Sequence, residues 1–236
     1  MRLLGASSPG TALIERDGVL GAIVPTAPLR SVVNSVVYRD AGALEAALDD
    51  LAAAYERADV AAWTVWVPEL DREAARLLEA AGHHLDAAPE AMVLDLAELA
   101  EPQPGDLDWD DRAEPSVVGR LNDAAYGYDA GEFERAFESP PAEVPLRLFQ
   151  ARVVGEPACV VGTIEQEGDC GVYLVATAAE HRGKALARRL LHVALAEARE
   201  RGCATSTLQA TRLGYPIYER LGYETAFRFE MWERRQ

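Results

Sequence analysis

Residues 172–189 read VYLVATAAEHRGKALARR and contain an apolar run, a short turn and the start of a helix. The run Val172–Thr177 predicts a strand, because it is short, apolar and rich in β-branched and aromatic residues. From about Lys184 to Arg201 apolar side chains recur on one face at helical spacing, and Gly202 is a typical C-terminal stop. A strand that leads through a short turn into a helix favours a fold of the α/β class.

The predicted helix begins with small residues set between basic ones. These are Arg182, Gly183, Lys184, Ala185, Ala187 and Arg188. The first turn of a helix has unpaired backbone N–H groups and a dipole that favours negative charge, and a diphosphate can approach a backbone without bulky side chains. The spacing matches neither a Walker loop nor the Gly-x-Gly-x-x-Gly pattern. Two interpretations remain from the residues alone: a site for a small polyanion, or an ordinary amphipathic helix with a basic start.

A second motif follows about thirty residues later, and the two together resemble the GNAT superfamily of N-acetyltransferases. That family has [QR]-x-x-G-x-[GA] at the start of its central helix, and here residues 182–187 read RGKALA. It also has a tyrosine four residues before a Gly-aromatic pair, and here residues 218–223 read YERLGY. The resemblance covers about residues 106–236. Ala185 departs from the preferred glycine, which implies a tighter phosphate approach, and Thr211 stands where many members have a cofactor-contacting asparagine.

The resemblance implies acetyl-CoA as acyl donor and assigns roles to individual residues. Val175, Ala176 and Thr177 would pair through their backbone with the pantetheine arm, as an added strand does. The segment from Gly183 to Arg188 would hold the pyrophosphate, and Thr211 would lie near the pantetheine. The implied cofactor-binding residues are Val175, Ala176, Thr177, Arg182, Gly183, Lys184, Ala185, Leu186, Ala187, Arg188 and Thr211.

Tyr218 would be the general acid that protonates the leaving thiolate. A phenol with a pKa of about 10 can give a proton to a thiolate whose conjugate acid has a pKa of about 8.5, in a mildly uphill step. The alternative for Tyr218 is a core tyrosine with a satisfied hydroxyl. Four carboxylates, Glu165, Glu167, Asp169 and Glu180, lie near these motifs, and Glu165 is the best placed of them to face a cleft. A water chain could serve instead, and no general base is assigned.

The chain has two halves with the same predicted order of strands and helices. In the first, Asp17-Gly18 indicates a hairpin, residues 41–57 a helix, and Gly82 the end of a second helix. In the second, helices are predicted near 114–126, near 131–138 before Pro140-Pro141, and from 184. Gly42 and Gly82 are 40 positions apart, and Gly183 and Gly222 are 39 apart. We therefore favour an internal duplication, with domains at residues 1–100 and 106–236, each a mixed, mostly antiparallel sheet flanked by helices.

The first half resembles the degenerate N-terminal domains of tandem GNAT proteins. Its helix start contains Asp40 and Glu45, which repel a diphosphate. Leu78 lies four residues before Gly82, where the other half has Tyr218, and leucine cannot donate a proton. We therefore expect this half to bind no CoA.

Charge and composition narrow the classes of partner. The formal net charge of the 236 residues is −16, which argues against a nucleic-acid partner. Residues 1–170 carry 32 acidic and 12 basic side chains, a net of −20, whereas residues 171–236 carry a net of +4. No apolar run is long enough to span a bilayer and the N-terminus lacks a signal peptide, so we expect a cytoplasmic protein without a membrane partner.

The cysteines and histidines indicate no metal site. Cys159, Cys170 and Cys203 have no Cys-x-x-Cys spacing and are interpreted as buried, reduced side chains. His83 and His84 are interpreted as a partly exposed pair.

The sequence thus predicts an acyl-CoA-dependent N-acyltransferase that passes an acyl group, expected to be acetyl, directly to an amine of a small molecule. The main alternative is a non-catalytic acyl-CoA-binding sensor or interaction protein. A weaker one is transfer to oxygen, or of an aminoacyl group, on the same scaffold. A monomer or a homodimer is expected.

Overall fold

The structure, a computed structural model, describes residues 8–127, 131–138 and 144–235. The α-helices in these ranges are α1 Ala41–Arg57, α2 Arg72–Ala80, α3 Pro115–Tyr126, α4 Glu132–Ala136, α5 Leu186–Glu200 and α6 Tyr215–Glu219. The strands are β1 Ala12–Arg16, β2 Val19–Ile23, β3 Ser35–Tyr38, β4 Ala62–Pro68, β5 His84–Ala87, β6 Glu90–Asp95, β7 Asp108–Asp110, β8 Leu146–Val153, β9 Glu156–Gln166, β10 Asp169–Thr177, β11 Thr205–Ala210 and β12 Glu224–Arg235. Pro140 and Pro141, predicted to close a helix, and the N-terminal residues 1–7 lie outside the described ranges.

The chain forms two compact units that are not continuous in sequence. The first unit comprises residues 1–89, 135–141 and 227–236, and the second comprises residues 90–134 and 142–226. The domain bounds predicted at residues 100 and 106 do not coincide with these units, because β6 belongs to the second unit and most of β12 to the first. Alternating polarity along a strand does not say which neighbour the strand will pair with. Because of the pairing that forms here, the two compact units do not coincide with the two halves of the sequence.

In the first unit the strands follow the order β1-β2-β3-β4-β12, and β5 also pairs with β12. All of these pairs are antiparallel except β3 with β4, which are joined through α1. Gly18 has a φ of 73° at the predicted hairpin, a value that glycine adopts without strain. The core centres on Trp63, whose ring stacks on Tyr55 with centroids 4.7 Å apart.

In the second unit the order is β6-β11-β10-β9-β8-β7, and the only parallel pair among these strands is β10 with β11, joined through α5. The predicted mixed, mostly antiparallel sheet flanked by helices is confirmed. Leu190, Leu191 and Leu195 of α5 are fully buried against the sheet, and each contributes about 1.5–3 kcal/mol by burial. β7 was not predicted, since a three-residue strand carries too little pattern.

His83 differs from its prediction. It is 4% exposed, whereas the sequence indicated a partly exposed pair, and only His84 lies at the surface. The His83 ring meets the Trp63 ring edge-on at 4.6 Å, and neither of its nitrogens has a hydrogen-bond partner among the described residues. Burial lowers the pKa of His83 to about 4, and the neighbouring charges of Arg234 and His84 act in the same direction.

Cys159, Cys170 and Cys203 are buried and free, as expected. No helix in the described ranges is long and apolar enough to cross a membrane.

We predict that His83 makes the protein less stable in mild acid. Its folded-state pKa of about 4 lies below the ordinary value of 6.5, so the neutral ring is favoured and stability is lost as the pH falls from 6.5 through 4. Between pH 7 and pH 4.5 this amounts to on the order of 2 kcal/mol of unfolding free energy. Urea titrations at both pH values should show the loss for the native chain and a smaller loss for His83→Leu. An equal loss in both would show that His83 is not the responsible group.

Candidate active site

Strands β10 and β11 pair only where they begin. Asp169–Gly171 pairs with Thr205–Thr207, whereas β10 continues to Thr177 and β11 to Ala210 without further pairing between them. We call the unpaired interval between the later parts of β10 and β11 the wedge. The Asp169 carboxylate joins the two strands where the wedge starts, because it accepts hydrogen bonds from the hydroxyls of Thr205 (2.8 Å) and Thr207 (2.6 Å). From Val172 onward, that edge of β10 has no strand partner among the described residues. The predicted pantetheine-binding residues Val175, Ala176 and Thr177 lie in this unpaired part.

A bulge interrupts β10 at the point of divergence. Tyr173 pairs with Gly162 and Ala176 with Val160, so β10 has one residue more than β9 across this interval. Leu174 lies inside the bulge with a φ of 57°, in the left-handed region. A bulge turns the following backbone groups relative to the regular ladder.

The connection from β10 to α5 leaves a helix start without a side-chain cap. Residues Ala179–His181 form a short 3₁₀ turn, and α5 then begins after Ala185 with no side-chain hydrogen bond to its first N–H groups. A side chain at Gly183 would meet no atom within 4 Å. The first turn of α5 therefore presents backbone donors and the positive end of the helix dipole on an open surface. This is the chemistry that the sequence predicted for residues 183–188.

Ala185 has a feature that the sequence analysis missed. Its φ is 59°, so an alanine occupies the left-handed conformation that favours glycine. The strain is about 1 kcal/mol for an L-residue. From the sequence, only the bulk of the methyl group was expected to matter. The available signal was a non-glycine residue at the position of a motif glycine, since such glycines often mark a positive φ.

Three cations lie near the start of α5. The Arg182 guanidinium donates to the carbonyls of Thr177 (3.2 Å) and Ala125 (3.4 Å), so it also braces the loop. The Lys184 ammonium lies 3.1 Å from His181 Nδ1, and the Arg188 side chain is exposed.

The other arginines of this region form ion pairs. Arg189 pairs with Asp106, Arg199 with Glu101, and Arg201 with Glu165 and Glu197. Unlike these three arginines, Arg182, Lys184 and Arg188 at the start of α5 form no ion pair with a carboxylate among the described residues.

Tyr218 lies in α6 and is 7% exposed. Its ring packs edge-on against Tyr223 with centroids 5.9 Å apart. Burial raises the pKa of the Tyr218 hydroxyl well above its ordinary value, with smaller contributions from the nearby Tyr126 and Cys159 side chains, so the hydroxyl keeps its proton at neutral pH. Cys159 in turn accepts a hydrogen bond from the Thr177 hydroxyl at 3.3 Å. Tyr218 and the end of β10 thus belong to one neighbourhood of the second unit.

Thr211 begins the turn that leads into α6. Its hydroxyl accepts a hydrogen bond from the Gly214 N–H at 3.2 Å, and its side chain is exposed. A side chain at Gly214 would meet the Tyr218 ring at 2.9 Å, so this turn also sets the position of that ring.

The four nearby carboxylates differ in their availability as bases. Glu165, the best placed by sequence, accepts hydrogen bonds from the Arg201 guanidinium at 2.5 Å and 2.9 Å, and Arg147 lies 3.7 Å away. Its oxygens are therefore already engaged by two arginine side chains. Asp169 is held by two hydroxyls, whereas Glu167 and Glu180 are exposed.

One cluster in the described part of the chain has three potential metal ligands. The ligand atoms of His84, Asp86 and Glu233 lie within 4.8 Å of one another. Both oxygens of Glu233 already accept hydrogen bonds from the Arg235 guanidinium, at 2.5 Å and 3.0 Å. The cluster therefore contains its own cation.

The first helix of the first unit starts differently from α5. The Asp40 carboxylate accepts a hydrogen bond from the Ala43 N–H at 2.8 Å and caps α1. Arg39 pairs with both Asp40 and Asp17, so its charge is also engaged.

Comparisons with known proteins agree with this geometry. Residues 170–226 match the family model described as the acetyltransferase (GNAT) domain. A GCN5-related N-acetyltransferase from Kribbella flavida superposes with a TM-score of 0.70 at 19% identity, covering 99% of this chain and 91% of its own. A tandem GNAT protein from the clavulanic acid biosynthesis pathway superposes with a TM-score of 0.66 at 18% identity, covering 97% and 84%. A GCN5-related N-acetyltransferase from Sphaerobacter thermophilus gives 0.63 at 18% identity, covering 92% and 80%.

A search of curated proteins found no match. The matched segment contains the β10–β11 wedge, the start of α5 and Tyr218. The chain therefore has a GNAT fold that extends over its length, and residues 170–226 are similar to the GNAT acetyltransferase domain.

Proposed function

We propose that the protein transfers an acyl group, acetyl in the simplest case, from acyl-CoA directly to an amine of a small molecule. The observation that carries this proposal is the uncapped start of α5 next to the unpaired edge of β10. One feature offers donors and positive charge to a diphosphate, and the other offers backbone groups to an extended amide-containing chain. CoA has both parts in one molecule.

Different segments of the chain bind different parts of the CoA molecule. The backbone from Gly183 to Arg188 takes the pyrophosphate, with Lys184 and Arg188 adding charge. The backbone of Val175–Thr177 pairs with the pantetheine arm. Thr211 lies where the wedge ends, at the first residue after β11.

Direct transfer is favoured over a covalent acyl-enzyme. Cys159, at the end of the wedge, is fully buried, and burial raises the pKa of its thiol to about 11. A protonated, buried thiol is a poor nucleophile. In direct transfer the amine nitrogen forms a bond to the thioester carbon, the carbon–sulfur bond breaks, and the amine gives up one proton.

Tyr218 supplies a proton to the leaving sulfur in this proposal. Its burial keeps it protonated, and the same exclusion of water raises the energy of a thiolate formed beside it. Proton transfer between the two therefore depends on their difference in pKa in the site and not on the solution values. The phenolate recovers its proton from the solvent after transfer, and water accepts the proton of the amine.

The first unit binds no CoA in this proposal. Asp40 fills the anion-binding position of α1 with its own carboxylate, and Arg39 is held in two ion pairs. A diphosphate would have to displace a cap worth about 1 kcal/mol and also meet the charge of Asp40.

The acceptor is expected to carry a basic amine. Residues 1–170 hold a net charge of −20, and the basic groups near α5 are engaged by phosphates. An acidic field raises the local concentration of cations and repels anionic acceptors.

We predict that Gly183→Glu weakens CoA binding by at least tenfold, because a carboxylate enters the phosphate site. Calorimetry with acetyl-CoA should first show one site per chain for the native protein. Gly155→Glu is a matched control, since Gly155 has a similar φ (83° against 76°) and equally open surroundings in the β8–β9 turn. Absence of binding by the native protein at millimolar ligand, or equal weakening by both substitutions, would contradict the proposal.

We predict that Tyr218→Phe lowers kcat by about 10²–10⁴ and leaves the Kd for acetyl-CoA nearly unchanged. Tyr223→Phe is the control: Tyr223 is a buried neighbouring tyrosine whose hydroxyl lies 2.5 Å from Ser206 Oγ, away from the proposed chemistry. Tyr223→Phe should lower Tm, because it removes the buried hydrogen bond with Ser206, and should leave kcat nearly unchanged. If Tyr218→Phe retains the native rate when chemistry limits turnover, Tyr218 is a packing residue. Binding without turnover of any amine would indicate the sensor instead.

We predict that cationic acceptors react faster than anionic ones. Release of free CoA should be measured over polyamines, amino sugars, amino acids and acidic metabolites. For the best cationic acceptor, kcat/KM should fall as ionic strength rises, because salt screens the acidic field. Faster turnover of acidic acceptors, or a flat salt profile, would refute electrostatic steering.

A further inference from the structure

The bulge of β10 requires something to hold it. Leu174 occupies the left-handed region at a φ of 57°, which is unfavourable by about 1–2 kcal/mol for an L-residue other than glycine. The bulge also takes Leu174 and Val175 out of the pairing with β9. The partly buried carbonyl of Leu174 therefore needs another donor, because a backbone carbonyl shielded from water without one is costly.

Asn122 of α3 supplies that donor. Its side chain is 1% exposed, and its Nδ2 donates to the Leu174 carbonyl (3.2 Å) and to the Val118 carbonyl of its own helix (2.9 Å). The second bond fixes the orientation of the amide, so the first is aimed at β10. The Leu174 side chain packs into the cluster formed by Val118, Val160 and Ala176, which secures the bulge from the same side.

The helix that carries Asn122 is itself held firmly. The Asp123 carboxylate accepts hydrogen bonds from the backbone N–H groups of Phe133 (3.1 Å) and Glu134 (3.2 Å) at the start of α4. Any Cβ on Gly119 would lie 2.3 Å from the Glu134 Cα, so α4 crosses α3 in direct backbone contact. Asn122 thus projects from a rigid corner of two helices.

We propose that Asn122 is a positioning residue that holds the β10 bulge and so presents the backbone of Val175–Thr177 to the pantetheine arm of CoA. The proposal rests on the proposed function, because it assigns those backbone groups to the arm. Asn122 does not touch the donor, and it acts through the Leu174 carbonyl. Its two hydrogen bonds go to Val118 and Leu174 and not to the segment Gly183–Arg188, so we expect the affinity for the nucleotide part to depend on it little.

The test separates the arm of CoA from its nucleotide. CoA is 3′-phospho-ADP extended by pantetheine, so the ratio of the Kd of 3′-phospho-ADP to that of CoA measures what the arm contributes. In the native protein CoA should bind more tightly than 3′-phospho-ADP. Asn122→Asp, which keeps the shape and removes both N–H donors, should reduce this ratio at least fivefold, about the effect of one lost hydrogen bond. The Kd of 3′-phospho-ADP itself should change less than twofold.

Asn34→Asp is the matched control. Asn34 is a fully buried asparagine of the first unit whose Nδ2 donates to the carbonyls of Ala27 (2.8 Å) and Arg30 (3.0 Å). Its substitution removes the same chemistry and lowers stability, but should leave the ratio unchanged. Asn122→Ala, which introduces no buried charge, replaces Asn122→Asp if the latter does not fold.

Each outcome has a distinct meaning. A reduced ratio with an unchanged Kd for the nucleotide supports the proposal. An unchanged ratio in a folded Asn122 variant, or a loss shared by Asn34→Asp, overturns it. If the native protein binds neither ligand, the proposed function fails and the assignment of Asn122 fails with it.

Discussion

The Asp169 carboxylate joins β10 to β11 through the hydroxyls of Thr205 and Thr207, and it does so only at the start of both strands. Beyond Gly171 the two strands separate, and the wedge between them is what makes an extended ligand possible. Parallel strands pair through evenly spaced bonds, so a ladder that ends after three residue pairs leaves a free backbone edge. The bulge at Leu174, the loop to α5 and the turn into α6 all come after the last paired residues of β10 and β11.

The two units differ at the start of one helix each. Each has one parallel pair of strands joined through a helix, namely α1 and α5. At α1 the Asp40 carboxylate occupies the helix start, whereas α5 begins at a left-handed alanine with no side-chain cap. A capped helix is more stable, whereas an uncapped helix start leaves backbone N–H groups that can bind an anion. At these positions a gain in helix stability therefore comes with a loss of anion-binding capacity.

Among the described residues of the second unit, four residues other than glycine have a positive φ: Val154, Glu167, Leu174 and Ala185. Two of the non-glycine residues with a positive φ, Leu174 and Ala185, lie at the two ends of the segment that would hold the donor. Conformations of this kind persist when the surroundings determine them, and at Leu174 those surroundings include Asn122 and the cluster around Val118. In the first unit the unfavourable feature is of another kind: the His83 ring is buried and neither of its nitrogens has a hydrogen-bond partner among the described residues.

The sequence by itself determined the fold class and the position of most helices and strands, because these depend on periodicity and on local motifs. Helix α1 was predicted with its observed bounds, and the small, basic start of α5 was recognised from spacing alone. Only the tertiary structure decided that β6 and most of β12 belong to the opposite units, that His83 is buried, and that Arg201 neutralises Glu165. It also decided that Ala185 is left-handed and that Asn122 reaches Leu174, which lies 52 residues further along the chain. Strand partners, burial and long-range hydrogen bonds are set by contacts between distant residues, and no local pattern encodes which distant residue will arrive.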